Sequence, residues 1–309
     1  MLNYRLHRLR NCLYVAMVVL MILILYYQFK VTMIPIPITE AEPEIQCLPA
    51  DFRDTQFIVG VHRNASVFIP EDLLLKNLSR EDLSALYHRY LENVQYMCRR
   101  KVRLGNYDDG GWDICDDAHF RPPKPCIIYS FGINNDFSFD DAAIKHFGCS
   151  VHSFDPSMHM DDHQRSDKNY FHSIGISDKD EAIKASTDEW QLFTYKTIRQ
   201  KLQHANKTIS ILKMDVELYE WRVLADIVKT VNMTGTNNLA VEFHLTLDGT
   251  EVEWEQYYRA LTVLRHLYHL GYRIFWTHQN HNCAFVSACK MEQRSNCHEI
   301  SFVKVTDPF

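Results

Sequence analysis

The sequence predicts a three-layer α/β fold with a mostly parallel sheet and an antiparallel edge, and three observations carry that expectation. Short apolar runs alternate with segments of helical period between residues 126 and 270, the pattern of a parallel sheet covered by helices on both faces. Two of those runs end on an acid, Asp155 and Asp215, which sets carboxylates along the rim where the strands have their carboxyl ends. The chain then closes on two strand-like runs with no helix between them, 272–277 and 300–305, with 283–288 a further strand candidate, read as a hairpin-like antiparallel edge. A chain of 309 residues, 46% hydrophobic and 12% aromatic, can bury one substantial core of this kind. The net charge of −6 argues against a nucleic-acid binder, because phosphate affinity rests on clustered Lys and Arg.

Taken in order, residues 13–29 carry no charge, and at 1.5 Å per residue they extend about 26 Å, close to the thin hydrocarbon core of early secretory membranes. Arg5, Arg8 and Arg10 precede the run and Lys30 follows it. By the positive-inside rule the expectation is a type II signal anchor, with a cytosolic tail at 1–12 and everything beyond the span in the Golgi or endoplasmic-reticulum lumen. A cleaved signal peptide is the competing reading, but the run exceeds the usual apolar region and lacks a small-x-small site behind it. Residues 30–50 hold four prolines and read as an extended stem, leaving 51–309 as a single lumenal domain. Asn-x-Ser/Thr sequons at Asn64, Asn77, Asn206 and Asn232 suit that compartment. So do the eight cysteines beyond Cys12, an even number compatible with up to four disulfides.

Within the domain, Ser79 followed by Asp82 marks a helix start, and Leu83, Leu86, Tyr87, Tyr90, Leu91, Val94 and Met97 follow at helical spacing. Residues 105–126 read as a turn-rich connector without period, with Trp112 as a local plug or a lid. A strand at 126–131, a loop, a helix stopped by Gly148 and a strand at 151–154 come next. The alternation continues with a strand at 170–176, a helix at 188–203, a strand at 208–214, a helix at 221–231, a strand at 239–244 and a helix at 253–270.

The chemistry concentrates on two stretches. The first runs from Cys126 to Asp155 and proposes a nucleoside site. Ser130 and Phe131 end its first strand, and Gly132, Asn134, Asn135 and Asp136 form the loop. The two asparagines tolerate left-handed backbone and replace glycines of the absent G-x-G-x-x-G pattern. Asp155 lies 23 residues after Gly132, near the spacing of an acid that grips ribose hydroxyls, although an Asp-Pro turn would also use it. The second stretch places Asp215 and Glu217 at the end of one central strand and Glu242 and His244 on one face of the next. Together they make a general-base or orienting cluster, although Asp215 could cap a helix and His244 could be a core histidine. No metal is expected at the His159/His163 pair, read as a solvated loop, or at Cys283, Cys289, Cys297 and His298, which lack paired zinc-site spacing.

The segments IIYSFGINNDFSFD, VHSFDPS, YFHSIGIS, LKMDVELYEW, AVEFHL and GYRIFW through NHNC to ISFVKV together resemble the methyltransferase-like protein 24 family, and more distantly the FkbM-type O-methyltransferases. The resemblance spans about residues 95–305. It implies a Rossmann-like class I methyltransferase sheet that binds S-adenosyl-L-methionine, with Gly132 to Asp136 near the methionine part and Asp155 at the ribose. Asn134 stands where relatives often have glycine, and Leu218 where FkbM-type sequences usually have it. The expected function is methyl transfer from S-adenosylmethionine to an oxygen of a glycan or small molecule in the secretory pathway, with Asp215, Glu217 and His244 as base or orienting groups. The alternatives are a Golgi glycosyltransferase using Asp215-x-Glu217 as a metal-binding D-x-D variant, and a lumenal binding module without catalysis.

Overall fold

In the computed structural model the described residues are 58–59, 66–107, 110–185, 188–231, 233–287 and 291–306. The 13–29 span, the 30–50 stem, Cys12, Cys47, Cys289, Asn64 and Asn232 lie outside them. Among the described residues no helix is long and apolar enough to cross a membrane.

A short antiparallel pair, β1 (Ile58–Val59) and β2 (Ser66–Val67), precedes helices α1 (Asp72–Leu75) and α2 (Arg80–Leu91). A second antiparallel pair follows, β3 (Lys101–Leu104) and β4 (Trp112–Cys115). The chain continues through β5 (Ile127–Phe131), α3 (Ser138–Phe147), β6 (Ser150–Phe154), β7 (His163–Ser166), β8 (Asn169–His172), β9 (Gly175–Ile176), β10 (Glu181–Ala185) and β11 (Asp188–Phe193). Then come α4 (Tyr195–Lys201), β12 (Ile209–Met214), α5 (Glu220–Thr230), β13 (Asn238–His244), α6 (Trp254–His269), β14 (Tyr272–Val286) and β15 (Gln293–Lys304).

Eight of these strands form the central sheet, in the order β14-β15-β13-β12-β5-β6-β8-β7. The five from β13 to β8 are mutually parallel. The terminal hairpin β14–β15 and the short β7 are antiparallel edges. β12 and β13 are buried along their whole length, which is why they read as continuous apolar runs rather than alternating ones. Alternate residues still choose opposite faces. Tyr129, Phe131, Leu212, Met214, Leu239 and Val241 join the core under α2, α5 and α6. Ile128, Ile211, Ala240 and Val151 meet Phe139, Ala143 and Phe147 of α3 on the other side. Three layers follow from that period of two.

Several elements differ from the sequence expectation. Residues 188–193 form a strand, not the start of a helix, because they pair antiparallel with β10 and, through Leu192 and Phe193, parallel with β9. The helix begins only after Thr194, whose hydroxyl accepts the Thr197 N–H. The expected strand at 170–176 is split between β8 in the central sheet and β9 in this small separate sheet. Helix α2 starts on its Ser79 cap as expected but stops at Leu91, leaving Val94 and Met97 exposed. The 105–126 connector contains β4, and Trp112 is buried against Ile128 and Phe139 as a local plug.

The closing strands are longer than expected, and β14 runs on from 272–277 into the 283–288 candidate as one strand, so that Cys283 lies within it and pairs with Cys297 of β15 in a disulfide. That bond removes the zinc alternative for these thiols. Disulfides Cys98–Cys115 and Cys126–Cys149 complete those among the described residues, the second bracketing the β5–α3–β6 unit.

Three histidines near the β6–β8 edge make this fold sensitive to acid. His152 stacks on His172 with ring centroids 5.2 Å apart, and its Nδ1 lies 2.9 Å from His172 Nε2. His204 meets the Tyr129 hydroxyl at 2.7 Å. Burial, reinforced by the neighbouring imidazoles, pushes His152 down to about 3. Burial, with Lys207 and Arg199 nearby, pushes His204 down to about 4, and burial lowers His172 as well. The unfolded chain protonates all three near pH 6.5. Their contribution to stability is therefore complete above that pH and is lost as pH falls towards the folded values. The melting temperature is expected to drop between pH 6.5 and 4, with a shallower drop in His152→Phe, which keeps an aromatic ring but cannot take a proton. Buried Asp140, pushed up to about 6 by burial, acts in the opposite sense but equally in both proteins. Identical slopes would refute this role for His152.

Candidate active site

A cavity of about 510 Å³ opens at the carboxyl ends of β5, β6, β12 and β13, within the size range of small-molecule sites. One wall is the β5–α3 loop. Gly132 has φ +77°, and a Cβ there would lie 1.6 Å from the backbone oxygen of Asp215, so only glycine fits between the two strand ends. Asn134 and Asn135 follow with φ of 45° and 64°, the left-handed conformation expected of them.

Asp155 holds this loop. Its Oδ2 accepts the N–H groups of Ile133 and Asn134 at 2.9 and 2.8 Å. Its Oδ1 accepts the Ser157 N–H at 2.8 Å and the Ser157 hydroxyl at 2.6 Å. Four hydrogen bonds match the lone-pair capacity of a carboxylate, so Asp155 organises the loop whether or not it also meets a ligand. Behind it, Phe131 and Phe154 stack with centroids 4.4 Å apart, and Ile176, Trp190 and Leu192 extend an apolar strip.

The opposite wall is acidic. Asp215 directly follows β12, and the next residues turn through left-handed backbone at Glu217 (φ 48°) and Leu218 (φ 76°). This position strains a leucine where a glycine would be free. The turn delivers Glu220 to the first residue of α5, fully buried, where its Oε1 accepts the Val216 N–H at 2.9 Å and faces His244 Nδ1 at 3.1 Å. The other imidazole nitrogen, Nε2, lies 3.6 Å from Glu242 Oε1 and 3.7 Å from Glu217 Oε2.

Burial by itself would lower His244, but the Glu220 and Glu242 carboxylates outweigh it and raise it to about 11, so the ring is an imidazolium at neutral pH. Burial also raises Asp215, with Glu242 adding to the effect and Lys213 opposing it. For Glu242 burial is outweighed by His244 and by the Asn280 amide at 3.0 Å, and its carboxyl is held low. The Lys213 ammonium donates to the carbonyls of Phe131 and Gly132, which ties β12 to the loop of β5.

Of the site residues expected from sequence, Phe131, Gly132, Asn134, Asp155, Asp215, Glu217 and His244 line this one cavity. Ser130 and Asp136 are placed elsewhere. Ser130 is buried beside the Asp140 carboxyl. Asp136 accepts the Ser138 N–H at 2.8 Å and the Asn106 amide at 2.9 Å, pinning the loop from outside the cavity. Sequence reasoning did not reach Trp190, Leu192, Tyr219, Asn280 or Asn282, which also line it. For Trp190 and Leu192 a signal was present in their alternation, which fits a strand as well as a helix.

Residues 70–304 match a family model described as a methyltransferase domain. Among curated proteins, the chain is 25% identical over 215 residues to "Probable methyltransferase-like protein 24" of Rattus norvegicus, covering 65% of this chain and 59% of that protein. It is 26% identical over 174 residues to the Homo sapiens protein of the same name, covering 53% of this chain and 48% of the relative. The matches thus span about half of the relatives' length. No solved structure matches the chain.

Proposed function

The chain belongs to the methyltransferase-domain family, and from that premise we propose that the cavity binds S-adenosyl-L-methionine and methylates a hydroxyl oxygen of a glycan or small molecule. The observation that carries this reading is the joining, in one cavity, of a glycine-asparagine loop held by Asp155 and an acidic wall on β12 and β13. The residues fit the cofactor. Gly132 and the left-handed asparagines leave room for close backbone approach, and Phe154, Ile176, Trp190 and Leu192 offer an apolar bed for a purine. Asp155 reaches a ribose hydroxyl if Ser157 gives up its hydroxyl bond.

When bound, S-adenosylmethionine supplies a methyl carbon activated by a sulfonium charge. The acidic wall attracts that charge and loses its hold once the sulfur is neutral, favouring product release. His244, already protonated, orients an acceptor as a hydrogen-bond donor rather than serving as the base. A carboxylate of the wall, Asp215, Glu217 or Glu242, would take the proton that the acceptor hydroxyl gives up. Alignment of the two reactants supplies much of the rate.

We also infer that this is a type II membrane protein of the secretory lumen. Support comes from the uncharged 13–29 run, from Asn77 and Asn206 of the sequons being exposed, and from three disulfides, which persist in oxidising compartments. Absence of a gel-mobility shift on deglycosylation would count against this placement. For the activity, titration calorimetry of the full-length chain is expected to show saturable, one-to-one binding of S-adenosylmethionine and of S-adenosylhomocysteine. Labelled methyl transfer to a glycan library should fall at least 100-fold in Asp215→Asn. Manganese-dependent binding of a nucleotide sugar with none of either adenosyl compound would overturn the proposal in favour of a glycosyltransferase, and binding of neither class would favour a non-catalytic module.

A further inference from the structure

We propose that Asn280 is a positioning residue of the acidic wall, which holds Glu242 ionised as the partner of His244 and so leaves Asp215 to take the proton of the acceptor hydroxyl. The proton step rests on the reading above, whereas the hold on Glu242 does not.

The register of three strands delivers the Asn280 amide. Asn280 of β14 lies opposite Cys297 of β15, and Cys297 lies opposite His244 of β13. Directly opposed residues project to one face of a sheet and residues two apart along a strand share it, so Asn280 stands on the face of His244 and Glu242. Beyond it the ladder breaks. Residues 281–283 face the single residue Asn296 before Ala284 meets Ser295, a bulge of the kind that re-aims side chains beside a site. The Cys283–Cys297 disulfide closes that bulge against the residue opposite Asn280. Within it the Asn282 N–H donates to Asn280 Oδ1 at 3.0 Å. The amide oxygen is thus occupied, and the amide nitrogen is turned to donate to Glu242 Oε1 at 3.0 Å.

Glu242 needs such a donor. It is buried and lies opposite a second acid, Glu299 of β15, which has His278 Nδ1 at 3.5 Å. His244 Nε2 is farther from Glu242 Oε1, at 3.6 Å, with the largely exposed Glu217 at 3.7 Å from the same nitrogen. The Asn280 amide is therefore the hydrogen-bond donor that fixes Glu242 among the described residues.

Asp215 is left in the opposite state. Its carboxylate accepts no hydrogen bond among the described residues. Burial raises it above the ordinary carboxylate range, Lys213 and His244 oppose that rise, and the charges of Glu242 and Glu220 add to it. Two carboxylates whose surroundings push them apart divide the tasks of counter-ion and base. The acceptor O–H bond breaks, the proton joins an Asp215 oxygen, and the bonding pair stays on the acceptor oxygen.

The test is a carbon-13 NMR titration of the full-length chain with its Asp and Glu carboxyls labelled, the two resonances being assigned through Glu242→Gln and Asp215→Asn. In the parent, Glu242 is expected to titrate below the ordinary carboxylate range and Asp215 above it. Asn280→Ala removes the donor and the near-isosteric Asn280→Asp sets a like charge in its place, so both should move the Glu242 midpoint up by about one pH unit. Gln279→Ala, which alters the neighbouring residue on the other face of β14, should leave it in place. Glu242→Gln keeps an oxygen for Asn280 but loses the charge, so the Asp215 midpoint should fall. Labelled methyl transfer to the glycan library should drop about tenfold in Asn280→Ala, with unchanged S-adenosylmethionine affinity. A Glu242 midpoint that neither Asn280 variant moves, an Asp215 midpoint in the ordinary range, or transfer lost as fully in Glu242→Gln as in Asp215→Asn would overturn the inference. The expected midpoints in a chain that binds no adenosyl compound would uphold the hold of Asn280 on Glu242 and remove the methyltransferase reading.

Discussion

Replacing Gly132 with alanine is expected to abolish S-adenosylmethionine binding and to lower the melting temperature by about 5–10 °C. The added methyl would sit 1.6 Å from the Asp215 carbonyl oxygen. That oxygen cannot swing away freely, because the Val216 N–H of the same peptide plane is bonded to the buried Glu220 Oε1 at 2.9 Å. Alanine would also have to hold φ near +77°, which costs an L-residue about 1–2 kcal/mol. With the forced separation of two strand ends, the total is about 2–4 kcal/mol. Gly148→Ala is the informative comparison. It too has positive φ, at +72°, but its nearest neighbour is the flexible end of Lys124 at 3.1 Å. It should cost about 1 kcal/mol as a weakened helix terminus and leave cofactor affinity unchanged. Calorimetry and thermal melts on both variants separate the two outcomes, and normal binding by Gly132→Ala would show that the loop is not the cofactor cradle.

The second large effect is expected at Asp155. Its replacement by alanine removes the acceptor for four donors and strands the N–H of buried Ile133. Hydrogen bonds to a charged acceptor contribute about 1.5–3 kcal/mol each, but the loop will relax and recover some of them through water. A net loss of about 3–5 kcal/mol is expected, with at least a 30-fold weaker S-adenosylmethionine affinity. Ser157→Ala tells loop support apart from direct contact. It frees one lone pair of Asp155 while leaving the loop amides held, so affinity should stay the same or rise if a ribose hydroxyl uses that position. A fall in affinity would instead make Ser157 itself a contact. Asp155→Ala binding as tightly as the parent would remove Asp155 from the site altogether.

Much of the site was legible because its signals are local. The β5–α3–β6 unit announces itself by apolar runs, a helical face and the Gly148 stop, and the left-handed asparagines by their short polar side chains. Residues 188–193 were misread because Trp190 and Leu192 suit either period over so short a span. Their strand character comes from pairing with Glu181–Ala185 and Gly175. Asn280 reaches Glu242 only through the long β14–β15 hairpin, whose register shifts between Asn280 and Ala284. The split between residues inside the cavity and those that brace it from outside, such as Asp136 and Ser130, depends on side-chain direction, which residue type does not specify.

By itself, the sequence determined the layer order, the rim on which a site would form and the acids that end its strands, since all of these follow from hydrophobic period and chain connectivity. Only the tertiary structure decided what those acids do. Asp155 is saturated by two amides of a loop more than twenty residues before it and by Ser157. His244 becomes an imidazolium because Glu220, 24 residues before it, is buried against its Nδ1. Charge state and hydrogen-bond capacity are set by neighbours in space and by the water they exclude, and neither is written in the order of residues along a chain.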